Sequence, residues 1–240
     1  MGCAVQGSFD PIMMPSPSLW PTPPLLAGEW HDLDPVLTGE LRQLLVSSQI
    51  RCFPLVNAGS MAAYRVRPLP FWPGWMWIDA LVETRIGPAT AAFLYGPHGA
   101  HALDGTSALV HDINDSGLLD VSTAENACDY LRFFCGAVRG EEGPFYLIES
   151  ADRFAALTGV ALDVSLAALA GPVTARKSVD GWRLDALVHY GGAAFSSRFS
   201  LNAMGMIEMI NDEPLSGDVP PVPIAFDGLL ARPAGPEGLL

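Results

Sequence analysis

Residues 171–213 read GPVTARKSVDGWRLDALVHYGGAAFSSRFSLNAMGMIEMINDE, and this stretch decides the fold. Apolar and polar side chains alternate between three glycine-bearing bends, the signature of antiparallel strands with one face buried. Asp180-Gly181 between alternating segments signals a two-residue hairpin turn, because a type I′ turn needs positive φ at both central residues. With that loop, Val179 faces Trp182, Ala175 faces Ala186 and Val173 faces Val188. Gly191-Gly192 makes the second bend and sets Val188 opposite Phe195 and Leu184 opposite Phe199. Ala203-Met204-Gly205 makes the third, with Leu201 opposite Ile207 and Phe199 opposite Met209. The result is a four-stranded meander over about 172–212 with one apolar face.

The same register builds a charged face. Arg176 is expected opposite Asp185, Asp185 opposite Arg198, and Ser200 beside Glu208. A carboxylate between two guanidiniums is either an anion-reading surface or an ionic ladder contributing about 0.2–1 kcal/mol per pair. His189 falls at the end of this face and reads as a solvated strand residue.

Outside the meander, helices are expected at about 35–48, 123–139, 151–157 and 164–170. Asp34-Pro35 opens the first, with Leu37, Leu41, Leu44 and Leu45 as its apolar stripe. Ser122 and Glu125 form a capping box for the second, whose buried side carries Ala127, Leu131, Phe134, Cys135 and Val138. Strands are expected near 62–67, 75–85, 90–95, 108–113 and 145–148. The fold class is therefore α+β: antiparallel sheets packed with a few helices. Twelve of the 21 prolines lie in two end segments. Residues 1–29 form an irregular proline-rich segment, 30–213 one globular domain with possible halves at 30–122 and 123–213, and 214–240 a proline-rich tail. That tail carries Ile224, Phe226, Leu229 and Leu230, which are expected to pack back on the body or on a second subunit.

With 26 acidic against 13 basic residues the net charge is −13, and Lys177 is the only lysine. Such a balance excludes a nucleic-acid surface, which needs concentrated positive charge. No run of about 18 apolar residues is present, so no membrane partner is expected. No secretory pattern opens the chain, and the expected location is the cytoplasm of a bacterium. Cys128 and Cys135 are seven residues apart on one helix, roughly 10 Å, too far for a disulfide. They read as reduced core thiols.

The segment PLPFWPGWMW, residues 68–77, concentrates Phe71, Trp72, Trp75 and Trp77. Rigid aromatics near prolines suit a partner surface or a flat ligand, and equally a bent hairpin covering the core edge. His98, His101, Asp104, His111 and Asp112 carry the atoms of a zinc or iron site without its spacing, since His98 and His101 point to opposite faces of a strand. No metal ligand set is assigned. There is no nucleophile elbow, no calcium loop in Asp112–Gly117, and Glu141-Glu142 between glycines is a connecting turn. No catalytic residue and no cofactor are assigned. The expectation is a non-enzymatic protein-binding or assembly component with a protein partner or self-association, through Phe71, Trp72, Trp75, Trp77, Arg176, Asp185 and Arg198. The rival reading is a small-molecule-binding protein or hydrolase with a pocket near residues 71–77 and 98–112.

Overall fold

The computed structural model describes residues 19–34, 39, 41–43 and 61–234. Two antiparallel sheets enclose a central helix, which makes the protein α+β. The first sheet begins with β1 (His31–Asp32), β2 (Met61–Pro68), β3 (Met76–Thr84), β4 (Gly87–Gly96) and β5 (Gly99–Ala102). Two helices follow, α1 (Ala108–Asp115) and α2 (Ala124–Ala137). A small hairpin, β6 (Arg139–Gly140) and β7 (Gly143–Pro144), then leads into β8 (Tyr146–Leu147). Helices α3 (Ala151–Thr158) and α4 (Val164–Leu169) precede the meander β9 (Thr174–Ser178), β10 (Gly181–Tyr190), β11 (Ala193–Asn202) and β12 (Ile207–Ser216). The chain closes with β13 (Ile224–Asp227) and β14 (Leu230–Pro233).

The second sheet runs β12-β11-β10-β8, with β9 also paired to β10. Two of the three expected bends hold their register: Val188 lies opposite Phe195, Leu184 opposite Phe199, and Leu201 opposite Ile207. The first hairpin is displaced by two residues. Ser178 pairs with Gly181, so Val179-Asp180 is the loop, and Ala175 lies opposite Leu184 rather than Ala186. Arg176 consequently stands opposite Arg183, and Asp185 opposite Thr174. The reason is a close approach across the sheet: at φ +144°, Gly181 abuts the Leu201 carbonyl, where a Cβ would overlap the oxygen. The glycine serves the neighbouring strand instead of the turn. Because the shift is two residues, every side chain keeps its face.

The first sheet runs β1-β2-β3-β4-β14-β13, with β5 also on β4. Strand β14 pairs Leu230 with Ala91, so the proline-rich tail supplies a hairpin to the sheet built from the first half of the chain. Leu230 thereby packs back on the body. Strand β3 is buried on both faces: Trp77 meets α2, while Ile78, Ala80 and Val82 join a second cluster with Tyr64 and Phe93. At the other end, residues 19–30 have no regular structure, yet Leu26 is buried in the main core.

That main core joins both sheets through α2, whose Tyr130, Leu131 and Phe133 meet Trp77 on one side and Leu184, Val188 and Phe199 on the other. Burying each such large side chain contributes about 1.5–3 kcal/mol. Thr123 caps α2 by accepting from the Asn126 N–H at 3.1 Å, so the cap is one residue later than Ser122, whose hydroxyl donates to Asp120. Ser150 and Asp163 cap α3 and α4. Residues 108–113, expected as a strand, are helical. An Asp104 turn, with Thr106 donating to its carboxylate from N–H and hydroxyl, launches α1 and places Val110, Ile113 and Asn114 inward at helical spacing. Of the helix expected at 35–48, residues 41–43 are helical and most of the remainder lies outside the described residues.

Candidate functional sites: an open strand edge and a cleft beneath the tail

The aromatic segment is interior. Phe71, Trp72, Trp75 and Trp77 are between 0 and 3% exposed, so none of them offers a docking surface. Phe71, Trp72 and Trp77 pack edge-on or tilted against Phe133 of α2 with centroids 4.9–5.7 Å apart. The Trp72 indole N–H donates to Asn114 Oδ1 at 3.0 Å, and Asn114 donates in turn to the Tyr130 hydroxyl at 2.7 Å. The short prolines bend the β2–β3 connection so that these rings fold under the sheet.

His98 and His101 both lie against the Trp75 indole, with centroids 6.4 and 5.9 Å away. Placing the two rings on opposite faces of one strand is thus corrected. Pro97-His98 is the hairpin loop between β4 and β5, and it folds His98 back toward its neighbour. Partial burial, then the adjacent His98, lowers the His101 pKa below the usual histidine value. Among the described residues, no group of three or more His, Cys, Asp or Glu is arranged to hold a metal ion. Cys128 and Cys135 are free and buried, and burial pushes the Cys135 thiol up to about 12.

On the outer face of the second sheet, Asp185 is bracketed by both guanidiniums. Arg198 Nε donates to Asp185 at 2.6 Å, and Arg176 reaches it diagonally at 3.6 Å. Arg176 is 74% exposed and Arg198 49%, so this is a solvent-facing ladder. Alongside it runs β12, the edge of the sheet. Its residues from Glu208 to Leu215 are exposed, among them Met209, Ile210 and Leu215, and Met204 and Met206 stand exposed in the turn before it. Register shifts opposite Arg198/Phe199 and Ala194/Phe195 leave Ile210 and Leu215 as extra residues, and Pro214 has no N–H to offer. The acids Glu208, Asp212 and Glu213 lie on the same strand.

A second feature was hidden from sequence reasoning. His189 is 3% exposed, not solvated as its strand-end position suggested. Phe154 of α3 covers the ring at 5.4 Å, and its cross-strand partner Tyr146 lies 6.1 Å away. Among the described residues neither His189 nitrogen makes a well-formed hydrogen bond, and the Tyr146 hydroxyl is likewise buried without a partner. Burial lowers the His189 pKa, while the nearby Pro220 and Val219 carbonyls pull it back up. These two side chains line a cleft of about 740 Å³ shared with Arg139, Glu141, Glu142 and Phe226. Arg139 lies 4.5 Å over the Phe226 ring and donates to the carbonyls of Gly228, at 3.0 Å, and Asp104. The covering residues come from α3 and from the segment after β12, so no local pattern around position 189 announces its burial.

Among the described residues, no helix is long and apolar enough to cross a membrane. Comparison with protein-family models, curated proteins and solved structures finds no match to this chain.

Proposed function

We propose that this protein is a non-enzymatic binding component that captures an extended segment of another protein chain along the free edge of β12. The observation that carries this reading is the edge itself: a ten-residue strand, paired on one side only among the described residues, with exposed Met and Ile side chains. An unpaired edge presents N–H and C=O groups that a further strand completes, and natural proteins usually cover or blunt such edges. The blunting here is partial. Two bulges and Pro214 restrict the continuous ladder to a few residues, which favours a short partner segment over indefinite sheet growth.

Charge selects the occupant. Glu208, Asp212 and Glu213 line the strand of a chain with net charge −13, so a second copy would bring acids against acids. A segment alternating Lys or Arg with apolar residues is complementary. Its cations meet Glu208 on the outer face, and its apolar groups meet Ile207 and Met209 on the inner face beside Leu201 and Phe199.

The test is fluorescence anisotropy of a labelled peptide alternating lysine and valine, with a glutamate–valine peptide as control. The lysine peptide should bind, and Glu208→Lys combined with Glu213→Lys should weaken it while leaving the circular dichroism spectrum unchanged. Equal binding of both peptides overturns the reading. So does a stable dimer in sedimentation that the same charge reversal dissolves.

A further inference from the structure

We propose that the cleft over His189 binds a small amino carboxylate, its anionic end held by Arg139 and Tyr146 and its cationic end by Glu141 and Glu142. This site uses none of the β12 residues. At about 740 Å³ the cleft falls within the size range of small-molecule pockets.

Its polar groups lack what buried polar groups normally have. Among the described residues the Tyr146 hydroxyl is buried without a hydrogen-bond partner, and the His189 ring nitrogens have only the nearby Pro220 and Val219 carbonyls, in no well-formed bond. Such atoms are rare in folded proteins unless something else supplies the partner. Among the described residues Arg139 donates to two carbonyl oxygens and lies over the face of Phe226, and no carboxylate oxygen lies within ion-pair distance of it. The nearby Asp104 carboxylate already accepts two hydrogen bonds from Thr106. A half-buried guanidinium that feels the Asp104 charge but forms no ion pair among the described residues, next to a phenol that burial keeps protonated, is a receptor for a carboxylate. Neutral His189 adds one donor and one acceptor at the floor.

The mouth has the opposite sign. Glu141 and Glu142 form the tip of the β6–β7 hairpin, which the Tyr190 hydroxyl fixes by accepting from the Glu142 N–H at 3.0 Å. A purely anionic ligand would meet these acids on entry; a ligand with an ammonium at its far end is matched at both ends. Glycines at 140, 143, 191, 192 and 228 leave those parts of the cleft wall without side chains.

The experiment is NMR of the histidine ring signals, the His189 pair being the one lost in His189→Asn. Aliquots of 6-aminohexanoate, hexanoate and hexylamine are added separately to the full chain. The proposal expects saturable shifts of the His189 signals with 6-aminohexanoate, smaller shifts with hexanoate and none with hexylamine. Arg139→Gln and, separately, Tyr146→Phe should each weaken 6-aminohexanoate roughly tenfold, the effect of losing one hydrogen bond to a charged group. Tyr146→Phe keeps the ring packing and serves as the reading if Arg139→Gln unfolds. Unchanged His189 signals with all three compounds overturn the proposal, as does hexylamine binding as well as 6-aminohexanoate. Equal binding of hexanoate overturns the assignment of Glu141 and Glu142.

Discussion

The Tyr130 hydroxyl donates to the Gly205 carbonyl at 2.9 Å, tying the central helix to the β11–β12 turn 75 residues later. The same hydroxyl accepts from Asn114, which accepts from Trp72, so one buried chain of hydrogen bonds links the β2–β3 connection, α1, α2 and the second sheet. Burial pushes the Tyr130 phenol up to about 12, so it remains a donor at any ordinary pH.

Removing that hydroxyl leaves an amide and a carbonyl unsatisfied in the core. Tyr130→Phe is expected to cost about 1–3 kcal/mol, read as a lower urea midpoint with an unchanged slope. Gly205→Ala should cost more. At φ +77° an added Cβ would strike the Asn114 amide and approach the Tyr130 oxygen at 2.8 Å.

Two carboxylates with similar partners should behave oppositely. Asp79 is buried, paired to Arg65 at 2.7 Å and bonded by the Trp77 indole at 2.8 Å. Arg65 in turn lies over the rings of Trp20 and Trp30. Asp79→Ala leaves that guanidinium buried without its counter-charge, at a cost of about 3–5 kcal/mol. Asp185→Ala, on the exposed ladder, should cost less than about 1 kcal/mol. Equilibrium unfolding of the two variants compares them directly, and similar losses would contradict the assignment of one pair as interior.

Stability should fall between pH 7 and pH 5. Burial lowers the folded-state pKa of both His189 and His101, so below about 6.5 the unfolded chain takes up protons that the native state refuses. Stability is therefore full above that value and lost as pH descends through it, by up to about 1.4 kcal/mol per pH unit for each histidine. His189→Gln should flatten the profile. A steeper slope in that variant would show that the ring is protonated when folded.

The thiols at 128 and 135 should resist alkylation in the native state. Burial raises both pKa values, and the thiolate is the reactive form. Iodoacetamide labelling followed by peptide mass spectrometry should find both unmodified natively and fully modified in guanidinium chloride.

How far the sequence reaches is instructive at particular residues. Alternation plus glycine bends made the meander legible, because strand period and turn chemistry are local properties. At Gly181 the reading slipped, since that glycine answers to Leu201 on another strand. The strand expected at 108–113 is α1: six residues with apolar groups at 109, 110 and 113 fit either period, and the upstream Asp104 turn decided it. The β12 edge is partly readable from Met209 and Ile210, but exposure depends on nothing covering it. His189, Tyr146 and Arg139 converge only when α3 and the tail close over the sheet, and no spacing in the sequence encodes that.

The most direct test of strand capture is hydrogen–deuterium exchange of the full chain with and without the lysine–valine peptide. The account predicts that backbone amides between 206 and 213 become protected on peptide addition while the rest of the protein exchanges as before. Unchanged exchange along β12 at saturating peptide, or protection confined to another element, would contradict it.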